Sequence, residues 1–217
     1  MFTEPPPTER RHPNDMQQQH DETSRALLEA AHRLLAEQGS EALTVRRIAT
    51  EAGMSTMNVY SRFGGKDGVV DELYRDGFER LFATINAVPT TEDFTGDLMA
   101  MAHAYRQFAL DHPTYYKVMF RSAIHDFTPS DEASDVALAG LDVFVQRIRT
   151  AQEHGVVRND ESYPATEIAA WLWASCHGLV SLELFAVADE RVMWQSVFEN
   201  GMRTAIAGLQ PSAAHQG

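Results

Sequence analysis

The chain has 217 residues, 44% of them hydrophobic, enough to fill a core, and its single cysteine, Cys176, excludes an internal disulfide framework or thiolate metal cluster. The formal net charge of −13 argues against nucleic-acid binding by overall charge, because a polyanion needs a positive face. No run reaches the ~20 apolar residues of a membrane helix. The best run, 168–182, is interrupted by Ser175 and His177, and the N-terminus lacks an apolar signal core, so a cytoplasmic protein with no membrane partner is expected.

Residues 1–21 open on Pro5-Pro6-Pro7 and continue polar, which predicts a disordered tail. A first helix is predicted over 22–38, with Leu27, Leu28, Ala31, Leu34 and Leu35 at helical spacing and Gly39 as its stop. Thr44 suits the N-cap of a second helix whose inner face holds Val45, Ile48, Ala49 and Ala52. Gly53 stands where a tight helix–helix turn needs positive φ. Ser55 suits the N-cap of a short third helix carrying Val59 and Phe63, closed by Gly64-Gly65. From Lys66 a long helix runs to Pro89.

Further helices are predicted from Phe94 to Pro113, over Tyr115–Phe120, and from Asp131 to Glu153 before Gly155. Two more run from Pro164 to about Val187 and from Glu190 to about Ala207, with a loose tail over 210–217. No strand pattern interrupts the series. The expected fold is all-α: a three-helix helix-turn-helix DNA-binding domain over 22–66, then a larger helical ligand-binding and dimerisation domain over 67–209.

The stretch 43–63 carries the functional signal. Small Ala49 and Ala52 let two helices approach closely, and Val59 and Phe63 anchor the third by its inner face. Opposite Val59 stand Met57 and Ser61, flanked by Asn58 and Tyr60, a face that fits a major groove admitting one helix. Asn58 has the chemistry to pair with adenine, and Arg46 with guanine or a phosphate. The N-caps Thr44 and Ser55 leave backbone N–H groups for phosphates, and Tyr60, Arg62 and Lys66 suit flanking phosphate contacts. Over 42–66, four cations face one acid, Glu51, so a basic patch sits on an acidic chain.

The runs Ala30-Ala31-His32-Arg33-Leu34-Leu35-Ala36-Glu37-Gln38-Gly39, Leu43-Thr44-Val45-Arg46-Arg47-Ile48-Ala49, Ala52-Gly53-Met54-Ser55 and Val59-Tyr60-Ser61-Arg62-Phe63, with Lys66, resemble the N-terminal domain of TetR-family repressors without a gap over 24–73. The resemblance implies a homodimer on a palindromic double-stranded DNA operator. By position it implies DNA contacts from Thr44, Arg46, Thr56, Met57, Asn58, Tyr60 and Lys66, with Met57 suited to a thymine methyl. Arg62 stands where many members carry His, which keeps phosphate-contact chemistry, and Gly64-Gly65 departs from the usual entry to the next helix. The run Trp171-Leu172-Trp173-Ala174-Ser175-Cys176-His177-Gly178-Leu179-Val180-Ser181-Leu182-Glu183-Leu184 resembles a C-terminal ligand-binding domain class with a Trp/His-Gly motif in its penultimate helix.

The helix from Pro164 is apolar nearly all round and needs cover on two sides, a partner subunit being the natural second cover. A small hydrophobic or aromatic effector is expected in the second domain, with Met101, Tyr105, Phe108, Tyr116, Met119, Phe120, Phe144, Trp173 and His177 as candidate liners, although aromatic and Met residues at helical spacing are more often ordinary core. His103, His112, His125 and His177 match no compact metal-ligand spacing, so no metal and no cofactor are expected. No phosphate loop, G-x-S-x-G, H-E-x-x-H or dinucleotide glycine motif is present, and Gly64-Gly65-Lys66 is too short for a phosphate loop, so no enzyme is expected. The alternative is a helical protein-interaction module without DNA binding, which has no need of the basic stretch.

Overall fold

A computed structural model describes residues 13–120, 124, 126–159, 161–185 and 192–211, the side chains of 13–20 excepted. Among the described residues the chain forms nine α-helices and one short 3-10 turn, with no strand. They fall into two compact units, one up to Glu72 and one from Leu73 onward.

In the first unit, α1 (Pro13–Gln38), α2 (Val45–Glu51) and α3 (Thr56–Phe63) pack on one another. Helix α1 begins at Pro13 rather than Glu22, so residues 13–21 are helical and not tail. Proline suits a first helical turn, and the unbranched Met, Gln and Glu that follow keep their rotamer freedom in a helix. Residues 1–12 and 212–217, the other expected tail segments, lie outside the described residues. Leu27, Ala30, Ala31 and Leu34 turn inward, while Leu28 and Leu35 are only half-buried. Leu43, Ile48 and Val59 complete the core. Each such side chain contributes about 1.5–3 kcal/mol by leaving water.

Helix α4 (Lys66–Asn86) spans the boundary between the units. The second unit adds α5 (Phe94–Asp111), α6 (Pro113–Phe120), α7 (Asp131–Glu153), α8 (Ala165–Phe185) and α9 (Trp194–Ala207). The Asp93 and Ser130 side chains accept from Gly96 N at 2.9 Å and Ala133 N at 3.1 Å, capping α5 and α7. Helix α8 packs against α5, α7 and α9, so it is the central element of this unit. The turn between α7 and α8 is held by buried Gln152, whose amide donates to the carbonyls of Arg158 at 2.9 Å and Tyr163 at 2.8 Å.

Two expectations change here. Helix α9 starts at Trp194, later than Glu190, and residues 186–191 lie outside the described residues. Helix α8, 21 residues long, is long and apolar enough to cross a membrane by length and composition, contrary to the sequence reading. Small Ala, Ser and Gly residues and one His dilute its apolar run without lowering its mean hydropathy much. Ile168, Leu172, Cys176 and Val180 are buried inside the unit, which accounts for one apolar face by protein packing.

Candidate functional site

The first unit builds a short exposed helix on a fixed corner. The Thr44 side chain accepts from Arg47 N at 3.3 Å and so caps α2. Gly53 adopts φ +67° between α2 and α3, and Gly64 adopts φ +70° after α3; both are left-handed positions that favour glycine. Within α3, Val59 is 0% exposed while Met57 is 71% and Tyr60 54% exposed. Burying one side of an eight-residue helix therefore aims the other side at solvent. Thr44, Arg46, Ser55 and Thr56 are exposed, and Lys66 and Arg62 are half-buried.

Two residues sit differently from the sequence expectation. Ser55 occupies the N-cap position of α3, but its hydroxyl makes no capping bond to the backbone. It accepts instead from Asn58 Nδ2 at 3.2 Å. The other end of the same amide, Asn58 Oδ1, accepts from Arg62 at 3.0 Å, and Arg62 also donates to Ser61 Oγ at 3.3 Å. Asn58 is half-buried. Pairing it with a base requires exchanging both bonds, and phosphate contact by Arg62 requires leaving Asn58. Met57, Tyr60, Thr56 and Arg46 are open as they stand. The neighbouring Arg47 is turned to Gln38, away from that role.

The second unit encloses a cavity of about 390 Å³, in the range of small-molecule sites. Of the expected liners, Met101, Tyr105, Met119, Phe120, Phe144 and Trp173 line it. Phe108, Tyr116 and His177 do not: Phe108 is buried elsewhere in the packing, and the other two form a polar cluster behind Tyr105. The sequence reading missed the wall from α4, which supplies Tyr74, Phe78, Leu81, Phe82, Ile85 and Asn86, and the floor from α9, Met202 and Ile206. A signal existed: the apolar residues of α4 after Leu73 cover more than one helical stripe. On α7, Gly140 makes room for Phe82, since a Cβ there would lie 1.9 Å from the ring. The lining contains no ionisable Asp, Glu, Lys, Arg or His side chain.

Behind the cavity, the Tyr116 hydroxyl lies 2.7 Å from His177 Nδ1 and 3.1 Å from the Tyr105 hydroxyl, and His177 Nε2 lies 3.3 Å from Ser181 Oγ. Burial lowers the His177 pKa, favouring the neutral ring. The neutral ring then has one donor and one acceptor, met by the tyrosine hydroxyls at Nδ1 and by Ser181 at Nε2. Burial pushes Tyr116 up to about 12 and raises Tyr105 and Cys176, so these groups stay protonated. The cluster is a neutral hydrogen-bonded chain, and the Cys176 thiol is not an activated nucleophile. Among the described residues no group of three or more His, Cys, Asp or Glu comes together to hold a metal, and His125 lies outside them.

Comparison with known proteins divides the chain in the same way. Residues 27–73 match the family described as bacterial regulatory proteins, tetR family, and residues 98–204 match the tetracyclin repressor-like C-terminal domain. The uncharacterized HTH-type transcriptional regulator Rv0681 of Mycobacterium tuberculosis is 23% identical over 192 residues, 88% of this chain and 84% of that one. The HTH-type transcriptional repressor KstR2 of the same organism is 46% identical over 57 residues, 26% of this chain and 28% of that one. A protein of unknown function from Rhodococcus sp. RHA1 superposes with a TM-score of 0.73 at 25% identity, covering 87% of this chain and 96% of that chain.

Proposed function

The chain belongs to the TetR family of helix-turn-helix transcriptional regulators, and from that premise we propose that it is a repressor which binds a palindromic operator as a homodimer and is released by a small, largely apolar effector. The observation that carries the reading is α3 itself, anchored by fully buried Val59 and presenting Met57 and Tyr60 to solvent beside exposed Arg46. The likeness to a named repressor over 57 residues supports the repressor assignment. The role is non-enzymatic and belongs in the cytoplasm with the DNA it controls.

Selection of bound duplexes from a random pool tests this directly. A two-fold symmetric consensus is expected, and a pool that shows no enrichment at low salt would leave the protein-interaction alternative. On the selected site, Arg46→Ala should weaken binding by about 1–3 kcal/mol and relax base preference at one position per half-site. A uniform loss across all sequences would make Arg46 a phosphate contact only.

Homodimer formation rests on α8 and α9, which pack together. Trp171 and Leu182, three turns apart on α8 with Ala174 and Gly178 between them, are 47% and 53% exposed, and Val197 on α9 is exposed beside Met193. These apolar surfaces give α8 a second face in need of cover, and two-fold pairing of both helices supplies it. Leu182→Glu should give a monomer by light scattering and reduce operator affinity by about 10²-fold, since each head then binds alone. A dimer of unchanged stability would move the interface elsewhere.

A further inference from the structure

Arg147 belongs to the helix that supplies one wall of the cavity. It lies on α7, three and four residues after Phe144 and Val143, so it shares their helical face. Both of those residues line the cavity. Its guanidinium is half-buried and donates to Met101 Sδ at 3.4 Å and to the Val88 carbonyl at 3.4 Å. Met101 is a cavity wall, and Val88 follows Asn86, another wall residue, by two positions. Among the described residues Arg147 forms no ion pair. The acid one turn before Met101 is Asp97, and it is already engaged: its two carboxylate oxygens accept from Thr91 N at 2.6 Å and Thr91 Oγ1 at 2.8 Å.

A half-buried arginine held by a thioether and one carbonyl leaves most of its five donors without a charged acceptor, where a carboxylate would bind in forked geometry. The cavity beside it is apolar and free of charged side chains, yet it opens at α7, where the lining residues Leu138 and Val143 are 62% and 44% exposed. The arrangement is amphipathic: an apolar chamber, with one cation hydrogen-bonded to its wall residue Met101. We propose that the effector is an amphipathic monocarboxylate whose apolar body fills the cavity while its carboxylate is held by Arg147, with Asn86 placed as a neutral second donor. This rests on the reading that the cavity takes an effector, and narrows it from apolar molecules in general to apolar acids. In a chain of net charge −13, a cation beside the cavity also provides selectivity, because it favours an anionic ligand over a neutral one of the same shape.

Dodecanoate and dodecan-1-ol, used below their aggregation limits on the full chain without DNA, separate head from tail. Binding is followed by calorimetry and by quenching of tryptophan emission, since Trp173 lines the cavity. Wild type should bind dodecanoate about tenfold or more tightly than the alcohol, a preference that shrinks with added salt. Arg147→Met, which keeps the apolar stem, should bring the two probes together while leaving the alcohol's affinity unchanged, and Arg147→Lys should retain part of the preference. Equal binding of both probes by wild type, a preference that survives Arg147→Met, or binding of neither probe each overturns the proposal. The wild-type comparison stands even if a variant folds poorly. Gel shifts on the same preparations read the DNA-binding role separately: failure there with the probe preference intact would refute the repressor reading and leave the acid site standing.

Discussion

Val59→Asp should abolish operator binding and destabilise the first unit by roughly 4 kcal/mol, close to the whole stability of a small domain. Val59 has no exposed surface, and α3 packs on α1 and α2 with only apolar residues among the largest buried side chains of this unit. A carboxylate placed there either stays charged without a partner or takes up a proton at the expense of its hydration, and both outcomes favour the unfolded chain. Urea unfolding followed by circular dichroism should show an early transition for the first unit, while the proposed pairing through α8 and α9 persists. Met57→Ala is the matched control. At 71% exposure it should change stability by less than about 0.5 kcal/mol and alter only DNA preference. A Val59→Asp protein with the wild-type urea midpoint would show that α3 is not held by that side chain.

The second large effect concerns a pair that joins α5 to α8. Arg106 donates to both carboxylate oxygens of Glu183, at 2.8 and 2.5 Å, and the two side chains are only 16% and 14% exposed. The guanidinium also lies 5.5 Å from the centre of the Phe198 ring on α9, so three helices meet there. Glu183→Ala should destabilise the second unit by about 2–4 kcal/mol, since it leaves a largely desolvated guanidinium without its acceptor. The double replacement Arg106→Met with Glu183→Leu should recover most of that loss, because two apolar side chains need no compensation. Denaturant midpoints of the single and double variants decide the matter. A double variant no more stable than Glu183→Ala would show that the pair contributes net stability, and not merely an avoided penalty.

The local frame of the DNA-reading corner was legible residue by residue. Thr44 caps α2, Gly53 and Gly64 take positive φ, and Val59 turns inward, as their types and spacing predict. Asn58 was not legible in the same way. Its amide has the right groups for adenine, but Ser55 and Arg62, three and four positions away on the same helix, compete for both of them. Which partner wins depends on rotamers, not on composition. Likewise the Arg106–Glu183 pair spans 77 positions of sequence, and no periodicity connects its members.

In the second unit the helices themselves were predictable, but the empty space between them was not. Tyr116 and His177 carried the same apolar-aromatic signature as Tyr105 and Trp173, yet they hydrogen-bond to each other while Trp173 faces the cavity. Phe82 and Gly140 become a wall only because α4 and α7 approach there. Sequence by itself determined the order of the helices, the cap of α2, the glycine turn after it and much of the buried stripe of the first unit, because those depend on interactions a few residues apart. Only the tertiary structure decided which stripes leave a cavity, which polar groups satisfy one another, and that Arg147, among the described residues, meets Met101 and the Val88 carbonyl without an ion pair. Those outcomes depend on how distant surfaces fit, and a chain pattern with a period of one helical turn carries no record of that.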